Sequence, residues 1–201
     1  MTDAPRRSDA TRAAILQAAR IRFARDGYQR ATIRAIAADA AIDPSMVMRY
    51  YGNKERLFAA AVDIDLRLPD LADLPPSRLG PELVRHFLYR WEEDPTADAL
   101  LTLLRSAATD PTAAERVRGI FRDQIMPIVL SVVRESRSSG ATLSHEDQLE
   151  AAERAGLLAT QMLGLAMCRH ILRIPPVAAM SPETLIERVG PTVQRYLTGE
   201  R

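Results

Sequence analysis

The eight residues Pro44-Ser45-Met46-Val47-Met48-Arg49-Tyr50-Tyr51 carry the densest set of groups able to recognise another molecule. Wound as a helix, this stretch turns Val47 and Tyr51 inward and leaves Ser45, Met46, Met48, Arg49 and Tyr50 outward. A guanidinium can take guanine bidentately, a hydroxyl can bond several base edges, and an apolar side chain can pack on a thymine methyl. Arg49, Ser45 and Met46 offer these three contacts in turn. Thr32, Arg34 and Lys54 flank the stretch as candidates for phosphate contact, and backbone amides at a helix start near residues 32–34 would favour an anion. Each residue also has a plainer reading. Thr32 could be only a helix cap, Arg34 a solvated arginine, Met46 idle surface, and Tyr51 core. Arg6, Arg7 and Arg12 could form a basic arm or a simple polar tail.

Other chemistries find little support. His86, His145 and His170 are too scattered to suggest a metal site. Cys168 is the single cysteine, which excludes an intrachain disulfide and a cysteine-based zinc cluster. Cys168 and His170 lie two apart, on different sides of a helix, so they do not form a dyad. There is no phosphate-binding glycine loop. No metal or cofactor is expected, and no enzymatic activity.

The charge distribution suits a polyanion-binding head. The formal net charge is +1, but residues 1–60 hold eleven Arg and Lys against six Asp and Glu, and the remainder is net acidic. Lys54 is the only lysine among 27 basic residues, a bias that fits a GC-rich bacterial coding sequence. No apolar run is long enough to span a membrane. The opening Met1–Arg12 stretch is polar and charged. A cytoplasmic protein is the expectation.

The elements that must position these groups read as helices throughout. The fold class is all-α: a three-helix, helix-turn-helix domain over residues 1–53 and a larger helical domain over 54–201. The first helix spans about Asp9 to Asp26, with Ile15, Leu16, Ala19 and Phe23 on one face and Gly27 as its stop. Thr32 caps a short helix that turns Ile36, Ala37 and Ala40 inward. Asp43 caps the next, with Pro44 in its first turn and Gly52 after its end. Asn53 caps a connecting helix from Lys54 to about Leu68. Pro69–Pro76 reads as a linker. Further helices fall at about 80–94, 96–109, 112–138, 144–174 and 182–198, with Pro127 and Pro191 expected to kink or break two of them.

A longer helix followed by two short ones across a tight turn makes a helix-turn-helix. The run Ile15-Leu16-x-Ala18-Ala19-x-x-x-Phe23-x-x-x-Gly27-Tyr28-x-x-x-Thr32-x-Arg34-x-Ile36-Ala37 continues through Ala40, Ile42, Val47, Tyr51 and Lys54-Glu55-x-Leu57. This pattern resembles the TetR family of repressors. The chain departs from it at Ala41, where the family usually has glycine, at Ser45, often a small residue there, and at Met48, where it usually has a phosphate-binding tyrosine. Tyr50, two residues on, could supply that hydroxyl instead.

The resemblance implies a body that binds a small molecule and dimerises through its last two helices. The residues give partial support of their own. The 144–174 helix is rich in Ala and Gly beside Leu149, Met162, Leu163, Met167 and Ile171, and the 182–198 helix carries Leu185, Ile186, Val189, Val193, Tyr196 and Leu197. Two such helices per subunit could form a four-helix homodimer interface; they could equally pack within one subunit. Phe87, Trp91, Leu104, Phe121, Ile125, Met162 and Met167 are candidates to line a ligand pocket, with His86, Arg90, Gln161, Cys168 and His170 as polar neighbours. The implied partners are a double-stranded DNA operator and an apolar or amphipathic effector, with no membrane. The expected mechanism is a shift of the 54–68 helix that changes the spacing of two reading helices. The alternative class is an all-helical small-molecule-binding protein or enzyme without DNA function.

Overall fold

The structure is a computed structural model that describes residues 7–71, 74–94, 97–137 and 142–199. It contains helices and no strand among the described residues. The elements are α1 (Arg7–Arg30), α2 (Ile33–Asp39), α3 (Pro44–Tyr51), α4 (Lys54–Ala61), α5 (Leu79–Glu92), α6 (Ala97–Ala107), α7 (Pro111–Ile120), α8 (Met126–Ser136), α9 (His145–Ala166), α10 (Pro175–Ala178) and α11 (Pro182–Thr198). Two π-helical segments, Phe121–Ile125 and Met167–Ile171, extend α7 and α9.

The chain divides into two compact units, residues 1–64 with 98–117, and residues 65–97 with 118–201. This differs from the division expected at residue 53. Helix α4 belongs with the head because Leu57 and Phe58 are fully buried there. The Phe58 ring meets Phe23 edge-on at 5.0 Å and Tyr28 at 4.8 Å. Most of α6 and most of α7 also join this first unit.

Local chemistry sets the helix ends of the head. Gly27 leaves the helix at φ +73°, before a last turn to Arg30. Thr32 Oγ1 accepts from Ala35 N at 3.1 Å, Asp43 Oδ1 from Ser45 N at 2.8 Å, and Asn53 Oδ1 from Arg56 N at 2.8 Å. Each satisfies an amide that the first turn leaves without an intrahelical partner. Inside, Ile15, Ala19, Ile36, Ala37 and Val47 have no exposed surface.

The α2–α3 turn closes in a Schellman motif: Ile42 N donates to Ala37 O at 2.9 Å and Ala41 N to Ala38 O at 3.1 Å. The motif requires a left-handed residue, and Ala41 sits there at φ +53°. A Cβ in that conformation costs about 1–2 kcal/mol, against about 0.4–1 kcal/mol of extra unfolded-state entropy for glycine. Ala41 is exposed and gives up no packing. Ala41→Gly should therefore stabilise the head by about 0.5–1 kcal/mol. A higher urea midpoint at constant slope would register this; an unchanged or lower midpoint would show the strain to be absorbed elsewhere.

Three long helices end or bend differently from the sequence expectation. The connecting helix stops at Ala61, seven residues short of Leu68. Asp65 Oδ1 accepts from Arg67 N at 2.9 Å in a local turn, Arg67 sits at φ +49°, and Leu68 precedes a proline, which disfavours the helical region. The 112–138 helix is interrupted by the π segment just before Pro127, whose missing N–H breaks the bonding ladder. The 144–174 helix leaves helical geometry after Ile171, with Arg173 at φ +51° and Ile174 before Pro175, and α10 follows. Pro191, by contrast, lies inside α11 without ending it.

In the second unit α11 lies along α5, and α8 and α9 pack against each other and against α11. Leu79, Leu83, Val84 and Leu88 of α5 share a core with Val129, Val132 and Val133 of α8, Ala151, Ala155 and Leu158 of α9, and Leu185, Val193 and Leu197 of α11.

Candidate nucleic-acid interface

Helix α3 has one fully buried side chain, Val47, which anchors it in the head. Around that anchor Ser45 and Arg49 are exposed, Met48 is 45% exposed, and Met46 and Tyr50 are half-buried. Thr32 and Arg34 are exposed at the start of α2. The helix is fixed at both ends, by Asp43 and by Gly52 N, which donates to Met48 O at 2.7 Å. Ser45 hydrogen-bonds the Asp43 carboxylate through side chain and backbone, holding it below the usual carboxylate range.

Helices α1 and α2 are locked by a fork of hydrogen bonds. Arg22 Nε and Nη2 donate to the two Asp39 carboxylate oxygens at 2.6 and 2.5 Å, and this pairing lowers the Asp39 pKa. Such bidentate geometry fixes orientation more than two separate bonds would. The first short helix, α2, is thereby held against the long α1.

The structure places two candidates in settings that the spacing did not reveal. Lys54 Nζ donates to Gln29 O at 3.1 Å and lies 4.5 Å from the Tyr28 ring centroid, a cation–π distance. Burial, then a hydrogen bond with Glu55, pushes the Tyr28 phenol up to about 12. Arg12 belongs to α1 rather than to a loose arm. Its carbonyl accepts from Tyr51 Oη at 3.1 Å, and its guanidinium lies 5.7 Å from the Tyr50 ring centroid. Burial raises the Tyr51 pKa. Arg6 lies outside the described residues.

The expected pocket residues divide between the units. Leu104 is buried in the first unit, on α6. The others belong to the second. Phe87, Phe121, Ile125 and Met162 pack against its core, and Met167 lies half-buried in the second π segment. Trp91 meets Phe87 at 5.5 Å and stacks on His170 at 5.4 Å with the rings 8° apart. Burial lowers the His170 pKa, outweighing the pull of Glu92 in the other direction. Cys168 is half-buried and free, and Gln161 is half-buried on α9.

Two features escaped the sequence reading. One is a buried ion pair: Arg90 Nη1 lies 2.5 Å from Asp94 Oδ2, with side chains 4% and 1% exposed. Its i,i+4 spacing on a helix end was the available signal. The other is an open cavity of about 360 Å³ lined by Met126, Leu130, Arg134, Thr142, Leu143 and Gln148, none of them an expected pocket residue.

Two family models account for most of the chain. The model for bacterial regulatory proteins of the tetR family matches residues 15–61, and that for the tetracyclin repressor-like C-terminal domain matches residues 77–197. The chain belongs to the TetR family. The family so described is one of bacterial regulatory proteins. It is 42% identical over 69 residues to an HTH-type transcriptional repressor of Streptomyces coelicolor, a match over 34% of this chain and 35% of that protein. The chain thus spans about a third of the length of that curated relative. A solved TetR-family regulator from Streptomyces coelicolor is 25% identical, with a TM-score of 0.55 over 98% of this chain and 99% of that one. NalD of Pseudomonas aeruginosa is 20% identical, with a TM-score of 0.68 over 94% and 97% of the two chains, and shares the fold. No helix among the described residues is long and apolar enough to cross a membrane.

Proposed function

We propose that this TetR-family regulator is a cytoplasmic repressor that binds a palindromic operator as a homodimer and is released by a small apolar or amphipathic effector. The observation that carries the reading is helix α3, pinned by Val47 and capped at both ends, with Ser45 and Arg49 exposed. A recognition helix needs that combination of a fixed axis and free outward side chains. Arg49 and Ser45 read base edges, Met46 packs on a thymine methyl, and Thr32, Arg34, Tyr50 and Lys54 face the phosphates. Repression agrees with the description of the Streptomyces coelicolor relative as a repressor.

Dimerisation through the helices near 144–174 and 182–198 draws support from the outer face of α9. Leu149, Leu157 and Leu163 are 54%, 48% and 38% exposed. Gly156 and Gly164 on the same helix face open space. A second copy would cover these leucines and use the glycines for close approach.

Footprinting on the DNA upstream of the protein's own gene tests the reading. Two protected half-sites about 34–36 Å apart, or a multiple of that spacing, are expected of a dimer. Arg49→Ala should weaken operator binding by about 1–3 kcal/mol and relax base preference at one position of each half-site. Unchanged affinity at fixed salt would remove Arg49 from the interface.

A further inference from the structure

The chain passes from the first unit to the second between Ile64 and Asp65. Just past that point side chains hold its backbone. Leu66 N donates to Gln124 Oε1 at 2.7 Å, Leu66 O lies 2.8 Å from His86 Nε2, and Arg90 Nη2 donates to Asp65 O at 2.7 Å. Both polar groups of Leu66 are thus satisfied from elements 20 and 58 residues away in the chain. An irregular segment needs some such partner for each backbone group, and water would serve an exposed one equally well. Here His86 and Arg90 come from α5, and Gln124 from the π segment.

The same two elements carry the apolar pocket candidates. His86 precedes Phe87, Arg90 precedes Trp91, and Gln124 lies between Phe121 and Ile125. Phe87, Phe121 and Ile125 pack against the core of the second unit. A displacement of α5 or of the π segment by a molecule lodged against those side chains would therefore move the atoms that hold Leu66. The π segment is a weak point in its own helix, since Pro127 comes two residues after its end. On the head side, Asp63 pairs with Arg116 of α7, so the chain is tethered there too.

From this arrangement we infer that His86, Arg90 and Gln124 form a backbone clamp on Asp65–Leu66 that transmits the state of the second unit to the DNA-binding head. The inference rests on the reading of this chain as an effector-responsive regulator. It replaces the expected shift of a 54–68 helix, because the helix has ended before the clamp begins. The clamp residues are positioning residues and touch neither DNA nor effector in this scheme.

The test uses the full-length chain and a duplex selected from random sequence by the wild-type protein. Gln124→Met and His86→Phe keep side-chain bulk and remove one clamp bond each. The Leu66 amide should exchange about tenfold faster in Gln124→Met, as one hydrogen bond is worth up to that factor. In the wild type, duplex binding should change Leu66 exchange, since coupling is reciprocal. In both variants the operator affinity should shift by about 5-fold or more, with affinity for a random duplex unchanged. A purely structural role would leave the response of Leu66 to DNA intact in both variants, and that result would overturn the clamp. No response of Leu66 in the wild type would overturn it too, leaving the DNA-binding reading intact. Failure to select any duplex would overturn the DNA-binding reading itself and remove the clamp's role as a relay.

Discussion

Asp94→Ala should destabilise the second unit by about 3–5 kcal/mol, the usual cost of stranding a buried charge. The Arg90 side chain is 4% exposed, and its partner carboxylate lies 2.5 Å from Nη1. Without Asp94 the guanidinium keeps one described hydrogen bond, to Asp65 O. Arg90 Nε and Nη1 make no hydrogen bond, so Nη1 meets Asp94 through charge and proximity, and there is little spare stabilisation at this site. Arg67 also reaches Asp94, at 3.3 Å, but its side chain is 60% exposed, so solvent screens that pair and its loss should cost under about 1 kcal/mol. Two variants thus separate two terms. Urea unfolding followed by far-ultraviolet circular dichroism should show a large shift for Asp94→Ala and a small one for Arg67→Ala. Equal small shifts would mean that Arg90 finds water or another acceptor, and that the pair contributes no more than a surface contact.

Gly80→Ala should cost about 3 kcal/mol or more, at or above the usual range for overpacking. A Cβ at Gly80 would sit 2.4 Å from Gln194 N and Gly190 O and 2.7 Å from Gln194 Cα. These are backbone atoms of α11, which no side-chain rotation can move away. Helices α5 and α11 would have to separate. That would strain the Gly80 N to Gln194 Oε1 bond at 2.7 Å and the Gln194 Nε2 to Pro76 O bond at 2.6 Å. It would also loosen the core that Leu79 and Leu83 of α5 share with Val193 and Leu197 of α11. Alanine's better helix propensity, worth about 1 kcal/mol, acts the other way and is too small to compensate. A melting temperature within a degree or two of the wild type would contradict the close approach. Because α11 is also a proposed dimer helix, sedimentation of the same variant should show a larger monomer fraction.

The head was legible in the sequence because its instructions are local. Thr32, Asp43 and Asn53 each bond an amide two or three residues away, and Gly27 and Gly52 mark left-handed positions. The inward positions Ile15, Ala19, Phe23, Ile36 and Val47 recur at helical spacing and are all buried. What escaped was non-local. Nothing near Leu66 in the chain announces that Gln124 and His86 will capture its backbone. The π segments lengthen each backbone hydrogen-bond span by one residue, too little for a five-residue stretch to show in hydrophobic spacing. Leu104 has the right chemistry for a pocket with Phe87 and Trp91, but the compact unit it joins depends on contacts across the chain. For the outward residues Ser45, Met46, Arg49 and Tyr50, spacing gave the side of α3 they occupy. It could not give the neighbours that restrain them, such as Arg12 against Tyr50.

Trp91 is the single tryptophan of the chain. It stacks face to face on an imidazole whose pKa burial lowers, and it is next in sequence to Arg90 of the clamp. The protein therefore carries an intrinsic optical reporter with no background from other indoles. Its emission responds to the polarity and stacking of one defined place on α5, so compounds can be screened on the unlabelled protein by colour and intensity alone. The same signal, followed in time after mixing, would separate a molecule that merely docks on the surface from one that rearranges the interior.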